Sequence, residues 1–200
     1  MDKKALYNIG YGLYVLSTKD NNKDNGCIIN TVTQVTSSPC MISICVSKMN
    51  YTNEMIKNSK KFNISILTKD SKFDIYERFG YKSGKDTDKF ASFDDTKRSG
   101  NGILYLTKNA NSYISVDVKQ EYDFGTHTMF LGEVTDSECL SDTESVTYEY
   151  YQKNIKPKPE KTAKSGWRCK ICGYIYEGEI LPEDYICPLC KHGAVDFEKI

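Results

Sequence analysis

Residues 167–200 read WRCKICGYIYEGEILPEDYICPLCKHGAVDFEKI and contain two Cys-x-x-Cys pairs with 14 residues between them. The pairs are Cys169 with Cys172 and Cys187 with Cys190. Each pair can form a turn that aims two sulfurs at one point, so that four thiolates hold one metal ion in tetrahedral geometry. A disulfide framework is the alternative, but such frameworks are typical of small secreted chains. The pattern therefore predicts a metal-binding module.

The spacing alone does not separate zinc from iron, because tetrahedral sulfur sites hold both metals. The surrounding residues resemble rubredoxin: Trp167 precedes the first pair, the CGYIY and CPLC turns follow, and Pro182 and Phe197 complete the match. The resemblance implies one redox-active iron, shielded from water by Trp167, Tyr174, Tyr176 and Phe197. The stretch between the pairs is shorter than in long-form rubredoxins, which bears on the redox potential and not on the ligands. A structural zinc ribbon is the alternative.

The composition is that of an ordinary globular protein, with 39% hydrophobic and 12% aromatic residues in a chain of 200. The 27 basic and 27 acidic side chains balance, so the sequence lacks the basic excess of a nucleic-acid-binding protein. No apolar run approaches the roughly 20 residues that span a bilayer, and the first residues lack the apolar core of a secretory signal. We expect no nucleic acid partner, no membrane association and a cytoplasmic location.

A linker is predicted at residues 152–165. It contains Pro157 and Pro159, five lysines and the single acidic residue Glu160. Proline and lysine in such a run favour an extended, mobile tether. The predicted organisation is a first domain over residues 1–151, the linker, and the metal module over residues 166–200.

Before the linker, short runs rich in Val, Ile, Thr and Tyr are separated by turn residues and predict strands. The runs are GLYVLST (12–18), GCIINTVTQVT (26–36), MISICVS (41–47), FNISILT (62–68), SYISVDVKQEY (112–122) and THTMFLGEVTDSECL (126–140). Helices are predicted over residues 51–59 and 71–79, the second with a capping-like start at Ser71. Six strands with few helices predict a mainly β fold, a closed barrel rather than a doubly wound sheet.

Small polar groups gather at two strand and turn positions, residues 30–34 and residues 47–52, and the second group leads into the first helix. Hydroxyls, a lysine and the N–H groups of a helix N-terminus can together hold a phosphate. The same pattern is also typical of strand ends followed by an ordinary helix cap. Cys27, Cys45 and His127 are likewise compatible with structural roles, the cysteines as small apolar fillers.

The order of these segments resembles the flavin reductase family of FMN-binding split-barrel proteins, over residues 5–151. The resemblance is carried by GLYVLST, NGCIINTVTQVTSSP, MISICVSKMNYTNEMI, RFGYKSG and GTHTMFLGEV. It implies a homodimer with FMN in a cleft near the subunit interface. FMN is expected against Cys27, Ile28, Ile29, Asn30, Thr31, Val32, Thr33 and Gln34, against Cys45, Val46, Ser47, Lys48, Met49, Asn50, Tyr51 and Thr52, and against Lys82, Ser83 and Gly84. The resemblance places a nicotinamide near Tyr7, Tyr11, Ile28, His127, Tyr148 and Tyr151.

Hydride transfer to a flavin needs no protein acid or base, because the cofactor carries the chemistry, so no catalytic residue is assigned. A flavin accepts two electrons with a hydride, whereas an iron held by four thiolates passes one at a time. The combination resembles high-molecular-weight rubredoxins. It implies electron flow from NADH, NADPH or a reductase through FMN to the iron, and on to an acceptor such as a flavodiiron protein that reduces oxygen or nitric oxide.

Two alternatives belong to other functional classes. The first is an NAD(P)H-dependent flavin or ferric reductase with an accessory, zinc-ribbon-like module. The second is a regulatory protein in which the barrel is a sensor and a zinc ribbon binds a partner.

Overall fold

The computed structural model describes residues 3–157, 166–171, 173–188 and 193–200. The chain divides into two compact units, Met1–Ile155 and Lys156–Ile200. A seven-stranded sheet dominates the first unit and a three-stranded sheet the second, which confirms the predicted mainly β class. The helical turn Tyr151–Ile155 belongs to the first unit because Tyr151 is buried in its core.

The large sheet has the strand order β2-β1-β5-β8-β9-β4-β3, and every neighbouring pair is antiparallel. A separate hairpin is formed by β6 and β7. The strands are β1 Tyr14–Asp20, β2 Lys23–Ile29, β3 Val32–Ser37, β4 Cys40–Ser47, β5 Lys61–Leu67, β6 Thr96–Arg98, β7 Leu104–Leu106, β8 Ala110–Asp123 and β9 His127–Cys139.

The sheet curls around one apolar core. Cys27 of β2, Ile44 of β4 and Phe62 of β5 lie in the same buried cluster, although β2 and β4 stand near opposite ends of the strand order. A flat sheet would keep these side chains apart, so the shared core indicates a barrel-like closure. The Thr31 hydroxyl, in the connection between β2 and β3, donates to the Cys45 carbonyl at 2.7 Å and fastens that connection to β4.

Helix α1 spans Tyr51–Ser59, the predicted range, and ends at Lys60 in a left-handed conformation. Helix α2 spans only Phe73–Tyr76 and continues as a π-helical turn, Glu77–Tyr81. The predicted cap at Ser71 is wrong, because its hydroxyl instead donates to the Thr68 carbonyl and hydrogen-bonds with the Tyr76 hydroxyl, both at 2.6 Å. A 3₁₀ turn, Lys3–Asn8, and the short helix α3, Tyr148–Tyr150, complete the helical segments of this unit.

Two further differences from the predicted elements have local causes. The run at 26–36 is two strands rather than one, because Asn30 and Thr31 interrupt it and the two parts pair with different neighbours, β2 with β1 and β3 with β4. The β6–β7 hairpin was not predicted, since polar bonds rather than an apolar pattern anchor it. The buried Asn63 amide donates to Ser99 Oγ at 2.8 Å and to the Ile103 carbonyl at 3.0 Å.

The second unit is built on the order β11-β10-β12, with β10 Trp167–Cys169, β11 Ile175–Tyr176 and β12 Phe197–Lys199. Cys169 is the register partner of Phe197, and an ion pair between Arg168 and Glu198 joins the same two strands. Across the described ranges of both units, no helix combines the length and apolar character needed to cross a membrane.

The β8–β9 pairing can be tested at Gly132, where a Cβ atom would lie 2.3 Å from Val116 Cγ1 and 2.9 Å from the Asp117 carbonyl oxygen. Because the second contact is with backbone, we expect Gly132→Ala to lower the free energy of unfolding by about 2 kcal/mol. Gly100→Ala is the matched control, with no heavy atom within 4 Å of its Cβ. Urea unfolding measures both, and equal stabilities would contradict this register.

Candidate functional site

The three segments predicted to hold FMN meet around the side chain of Asn25 in β2. Its Nδ2 atom donates to Thr52 Oγ1, in the first turn of α1, at 3.0 Å. Burial raises the pKa of the Cys27 thiol, and the neighbouring Thr52 side chain partly offsets that rise. At Gly84 a Cβ atom would lie only 2.2 Å from Asn25 Oδ1, so the backbone there lies directly against the amide. The barrel thus brings β2, the start of α1 and the loop at 82–84 together.

The predicted FMN residues include exposed, half-buried and buried side chains, and the half-buried ones are Ile28, Asn30, Thr31, Val32, Cys45, Ser47, Asn50 and Tyr51. The exposed side chains, available to a ligand, are Thr33, Gln34, Lys48, Met49, Lys82 and Ser83. The buried ones, which shape the wall, are Cys27, Ile29, Val46, Thr52 and Gly84. Burial raises the pKa of the Cys27 thiol. Cys27 therefore contributes packing rather than a reactive thiolate.

Positive charge surrounds the N-terminus of α1. Lys23 Nζ lies 4.9 Å from the centroid of the Tyr51 ring, and Lys85 Nζ lies 5.9 Å from it. Asn50 occupies the cap position without a side-chain cap hydrogen bond. Backbone N–H groups at a helix N-terminus together with nearby lysines favour an anion such as a phosphate. Lys48, also predicted here, forms a 2.6 Å ion pair with Asp123.

Lys89 was not predicted as a site residue from the sequence, yet its side chain is buried beside β2. It is 4% exposed, and its Nζ atom donates to the Gly26 carbonyl at 2.8 Å and the Phe79 carbonyl at 3.1 Å. Burial lowers the pKa of this ammonium group. The two bonds fasten β2 to the π-helical turn that precedes the loop at 82–84. The residues that flank Lys89 in the sequence do not distinguish it from a solvent-exposed lysine.

Three of the tyrosines predicted to lie near the nicotinamide come together. The Tyr148 backbone N–H donates to the Tyr11 carbonyl at 2.8 Å, and the Tyr148 and Tyr151 ring centroids are 6.3 Å apart. The Tyr151 and Tyr81 hydroxyls are 3.2 Å apart, so the cluster reaches the residue that precedes Lys82. Ile28 packs against the same apolar cluster as Tyr148 and Tyr151.

Of the other two predicted nicotinamide residues, His127 lies elsewhere in the barrel, at the start of β9. His127 is the register partner of Ser47 across the β4–β9 pair and hydrogen-bonds with the Thr126 hydroxyl at 3.0 Å. It therefore lies beside the second FMN segment. The side chain of Tyr7 lies outside the described part of the structure.

A flavin fits the chemistry of these residues. The helix start and its lysines suit a phosphate, and exposed hydroxyl and amide groups follow along β3. Asn25 Oδ1 is buried and has no hydrogen-bond partner among the described residues. An unsatisfied buried acceptor at the meeting point of three polar segments is typical of a binding site rather than of an apolar core.

In the metal module, Cys169 and Cys187 are both fully buried in one small cluster. The predicted ligands Cys172 and Cys190 lie outside the described residues. The turn after Cys169 is defined by two 2.8 Å backbone bonds, from the Cys169 N–H to the Tyr174 carbonyl and from the Gly173 N–H to the Cys169 carbonyl. Gly173 has φ +80°, which only glycine adopts without strain, so the sequence specifies this turn.

The aromatic shell expected around the sulfurs is confirmed. Trp167, Tyr174, Tyr176 and Phe197 all pack in the cluster that contains Cys169 and Cys187. Tyr185, which was not predicted, also belongs to the shell, with its ring centroid 4.7 Å from that of Tyr176 and 5.4 Å from that of Phe197. Thiolates are costly to bury in such surroundings unless a cation neutralises them. The donors present therefore fit a thiolate-bound metal.

Comparison with known proteins decides the family. The flavin reductase like domain matches residues 6–158. The chain belongs to the flavin reductase-like family. Residues 167–198 of this flavin reductase-like chain match the rubredoxin-like domain of rubrerythrin. The predicted pairing of a flavin reductase domain with a rubredoxin-like module is thereby confirmed.

This flavin reductase-like chain is similar to two curated proteins and to one solved structure. It is 36% identical over 230 aligned residues, covering 100% of both chains, to a high molecular weight rubredoxin of Moorella thermoacetica. It is 37% identical over 163 residues, 82% of this chain and 96% of the relative, to a ferric-chelate reductase (NAD(P)H) of Archaeoglobus fulgidus. An NADH:FAD oxidoreductase of Streptomyces globisporus has the same fold, with TM-score 0.64, 21% identity, and coverage of 72% of this chain and 85% of that one. The protein is an oxidoreductase of the flavoprotein class with a rubredoxin-like module.

The close approach of the 82–84 loop to Asn25 predicts the effect of a single methyl group. In Gly84→Ala the new Cβ would collide with the Asn25 amide, so we expect about tenfold weaker FMN binding, the equivalent of about 1.4 kcal/mol. Gly80→Ala is the matched control, because its Cβ would make only an ordinary 3.4 Å contact with Ile28. Fluorescence titration with FMN measures both variants. Unchanged affinity in Gly84→Ala would show that this loop does not contribute to the site.

The burial of Cys169 predicts the response of the metal content. Cys169→Ser removes one buried sulfur, and we expect the full-length protein to lose most of its bound metal. Cys139→Ser is the control, because Cys139 is exposed at the end of β9. Elemental analysis per chain measures both. Full metal content in Cys169→Ser would exclude this sulfur as a ligand.

Proposed function

We propose that this protein is an electron-transfer flavoprotein. It takes electrons from NADH, NADPH or a reductase into its barrel domain and delivers them from a four-cysteine iron centre to an acceptor protein. The observation that carries the proposal is the presence of both parts in one chain. One part has three polar segments that meet at Asn25, and the other has buried sulfurs inside an aromatic shell. The full-length similarity to a high molecular weight rubredoxin supports it.

FMN is the proposed cofactor of the barrel domain. When bound, it supplies the conversion between two-electron exchange with a nicotinamide and one-electron exchange with a metal. The start of α1, with Lys23 and Lys85 close to Tyr51, would bind the phosphate. The polar residues from Asn30 to Gln34, with Lys82 and Ser83, would bind the remaining polar groups. The buried wall around Cys27 and Thr52 fixes the relative positions of these segments.

Iron, rather than zinc, is the proposed metal. Its ligands would be Cys169, Cys172, Cys187 and Cys190. The aromatic shell of Trp167, Tyr174, Tyr176, Tyr185 and Phe197 would exclude water from the sulfurs. A dry, apolar shell lowers the local dielectric and tunes the potential of the metal. The role of these protein groups is therefore to hold the metal in a water-excluded site.

The proposed nicotinamide site is the tyrosine cluster of Tyr11, Tyr148 and Tyr151 next to Ile28. Tyr7 and His127 are proposed for it from the family resemblance alone. The hydrogen bond between the Tyr81 and Tyr151 hydroxyls joins this cluster to the loop that would hold FMN. Aromatic faces suit the stacking of a nicotinamide or adenine ring. Positioning the two rings close together is the protein's contribution to hydride transfer, which needs no protein acid or base.

A homodimer is proposed from the exposed apolar groups of the barrel. Val35 on edge strand β3, Met49 after β4 and Phe124 at the β8–β9 turn are 51%, 58% and 62% exposed. Met49 and Phe124 lie at the same end of the β4–β9 pair, where the Lys48 N–H donates to the Thr126 carbonyl. Large apolar side chains beside an unpaired edge strand are typical of an interface.

The proposed acceptor is a flavodiiron protein that reduces oxygen or nitric oxide, and the proposed location is the cytoplasm. In the metal module, Glu177, Glu179, Glu183 and Asp184 are exposed, and Ile180 among them is 80% exposed. An acidic loop with an exposed apolar side chain suits a basic surface on the acceptor. Complementary charge speeds such encounters at low ionic strength.

A ferric or flavin reductase with an accessory metal module is the second candidate. It is favoured by the 37% identity to a ferric-chelate reductase, of which the alignment covers 96%. In that case the barrel domain alone would account for the activity.

Anaerobic addition of NADH, and then NADPH, to the full-length protein tests the proposal. We expect the absorbance of flavin and then of iron to bleach, because the barrel domain receives the electrons first. In Cys169→Ser, flavin should still bleach while reduction of a protein acceptor such as a flavodiiron protein falls at least tenfold. Stopped-flow absorbance follows both chromophores. Full acceptor reduction by Cys169→Ser would instead support the reductase candidate.

A further inference from the structure

The side chain of Asn25 is an unusual occupant of a buried strand position. It is 1% exposed, and its neighbours along β2 include the apolar residues Cys27 and Ile29. Its Nδ2 atom donates to Thr52 Oγ1 at 3.0 Å. Its Oδ1 atom has no hydrogen-bond partner among the described residues. A leucine would occupy similar space without a polar atom, so the amide adds a desolvation cost that packing alone does not require.

The unpaired oxygen faces one specific segment. A Cβ atom at Gly84 would lie 2.2 Å from Oδ1, 2.5 Å from Cγ and 2.6 Å from Nδ2. The glycine backbone therefore lies against the whole amide. The chain beyond it turns on itself, with the Asp86 and Thr87 N–H groups donating to the Ser83 carbonyl. Lys89 then fastens the chain to β2 through the Gly26 carbonyl.

The Asn25 oxygen therefore lacks a hydrogen bond at the point where β2, the start of α1 and the loop at 82–84 meet. Asn25 is already bonded to the start of α1, and it belongs to the strand that continues into Cys27. On the side of the loop at 82–84, its Oδ1 atom is an acceptor that no donor among the described residues reaches. Each peptide unit of that loop carries an N–H group that could donate to it. A shift of the loop onto the amide would complete the junction, and the absence of a side chain at Gly84 leaves room for that approach.

We propose that Asn25 is a positioning residue of the flavin site, whose missing hydrogen bond is made when flavin binding draws a backbone N–H of residues 82–84 onto Oδ1. The inference rests on the proposed flavin site. Binding of the ligand and closure of the loop are then coupled, because the bond that completes Asn25 forms only together with the bound flavin. The unpaired oxygen raises the free energy of the flavin-free protein, and forming its hydrogen bond in the complex therefore strengthens flavin binding.

Asn25→Leu and Asn63→Leu form a matched pair of tests. Both residues are buried asparagines on strands of the same sheet, but both ends of the Asn63 amide are hydrogen-bonded, the oxygen by Asn101 Nδ2 at 2.8 Å. In Asn25→Leu we expect about tenfold weaker FMN binding with an unchanged or higher melting temperature of the FMN-free protein. In Asn63→Leu we expect a lower melting temperature, with the FMN affinity of the folded protein unchanged. Fluorescence titration and thermal unfolding measure the two quantities.

Hydrogen exchange on the unaltered full-length protein gives an independent readout. We expect at least one amide of residues 82–84 to exchange about tenfold more slowly when FMN is added, since a new hydrogen bond protects it. The amides of the β1–β2 turn at Asn21 and Asn22 are the internal control and should not change. In Asn25→Leu the protection of residues 82–84 should be lost.

Three outcomes would overturn the inference. They are wild-type FMN affinity in Asn25→Leu, a fall in melting temperature that parallels the one in Asn63→Leu, and unchanged exchange at residues 82–84 on addition of FMN. Failure of the proposed flavin site gives a different result, because the unaltered protein would then show no saturable FMN binding in the same titration.

Discussion

The barrel interior must be filled by side chains from both ends of the strand order, and this constraint determines where the other parts of the first unit lie. Cys27 from β2 and Ile44 from β4 can share a core with Phe62 from β5 only if the sheet curls. Curling brings β2 against the start of α1, where the Asn25 amide donates a hydrogen bond to Thr52. The loop at 82–84 then lies over that bond. The candidate flavin site is thus a consequence of closing the sheet.

The stability of the second unit has a different physical basis. Its core is too small to be stable through apolar burial alone, and small domains of this kind usually depend on a metal or on disulfides. Cys169 and Cys187 belong to its buried core, so two of the four proposed ligands are also core residues. Loss of the metal would therefore affect folding of the unit as well as its redox chemistry.

The sequence was most informative where a residue type has a single physical use. The paired cysteines, the alternating strands and the helix at Tyr51–Ser59 were all readable from local pattern. The structure has strands in each predicted run, although the run at 26–36 is two strands, and the helix spans the predicted residues. Asn25 and Lys89 were not predicted, because their importance comes from contacts across the fold: with Thr52 and Gly84 in one case, and with the Gly26 and Phe79 carbonyls in the other. The β6–β7 hairpin was missed for the same reason, since a polar network around Asn63 holds it.

The chain joins a flavin reductase-like domain to a rubredoxin-like module. The central claim is that it holds both cofactors needed to convert two-electron into one-electron exchange. The most direct test is combined flavin and elemental analysis of the freshly purified full-length protein. The account predicts FMN and one iron per chain, with a red colour in the oxidised state. Stoichiometric zinc without iron would contradict it.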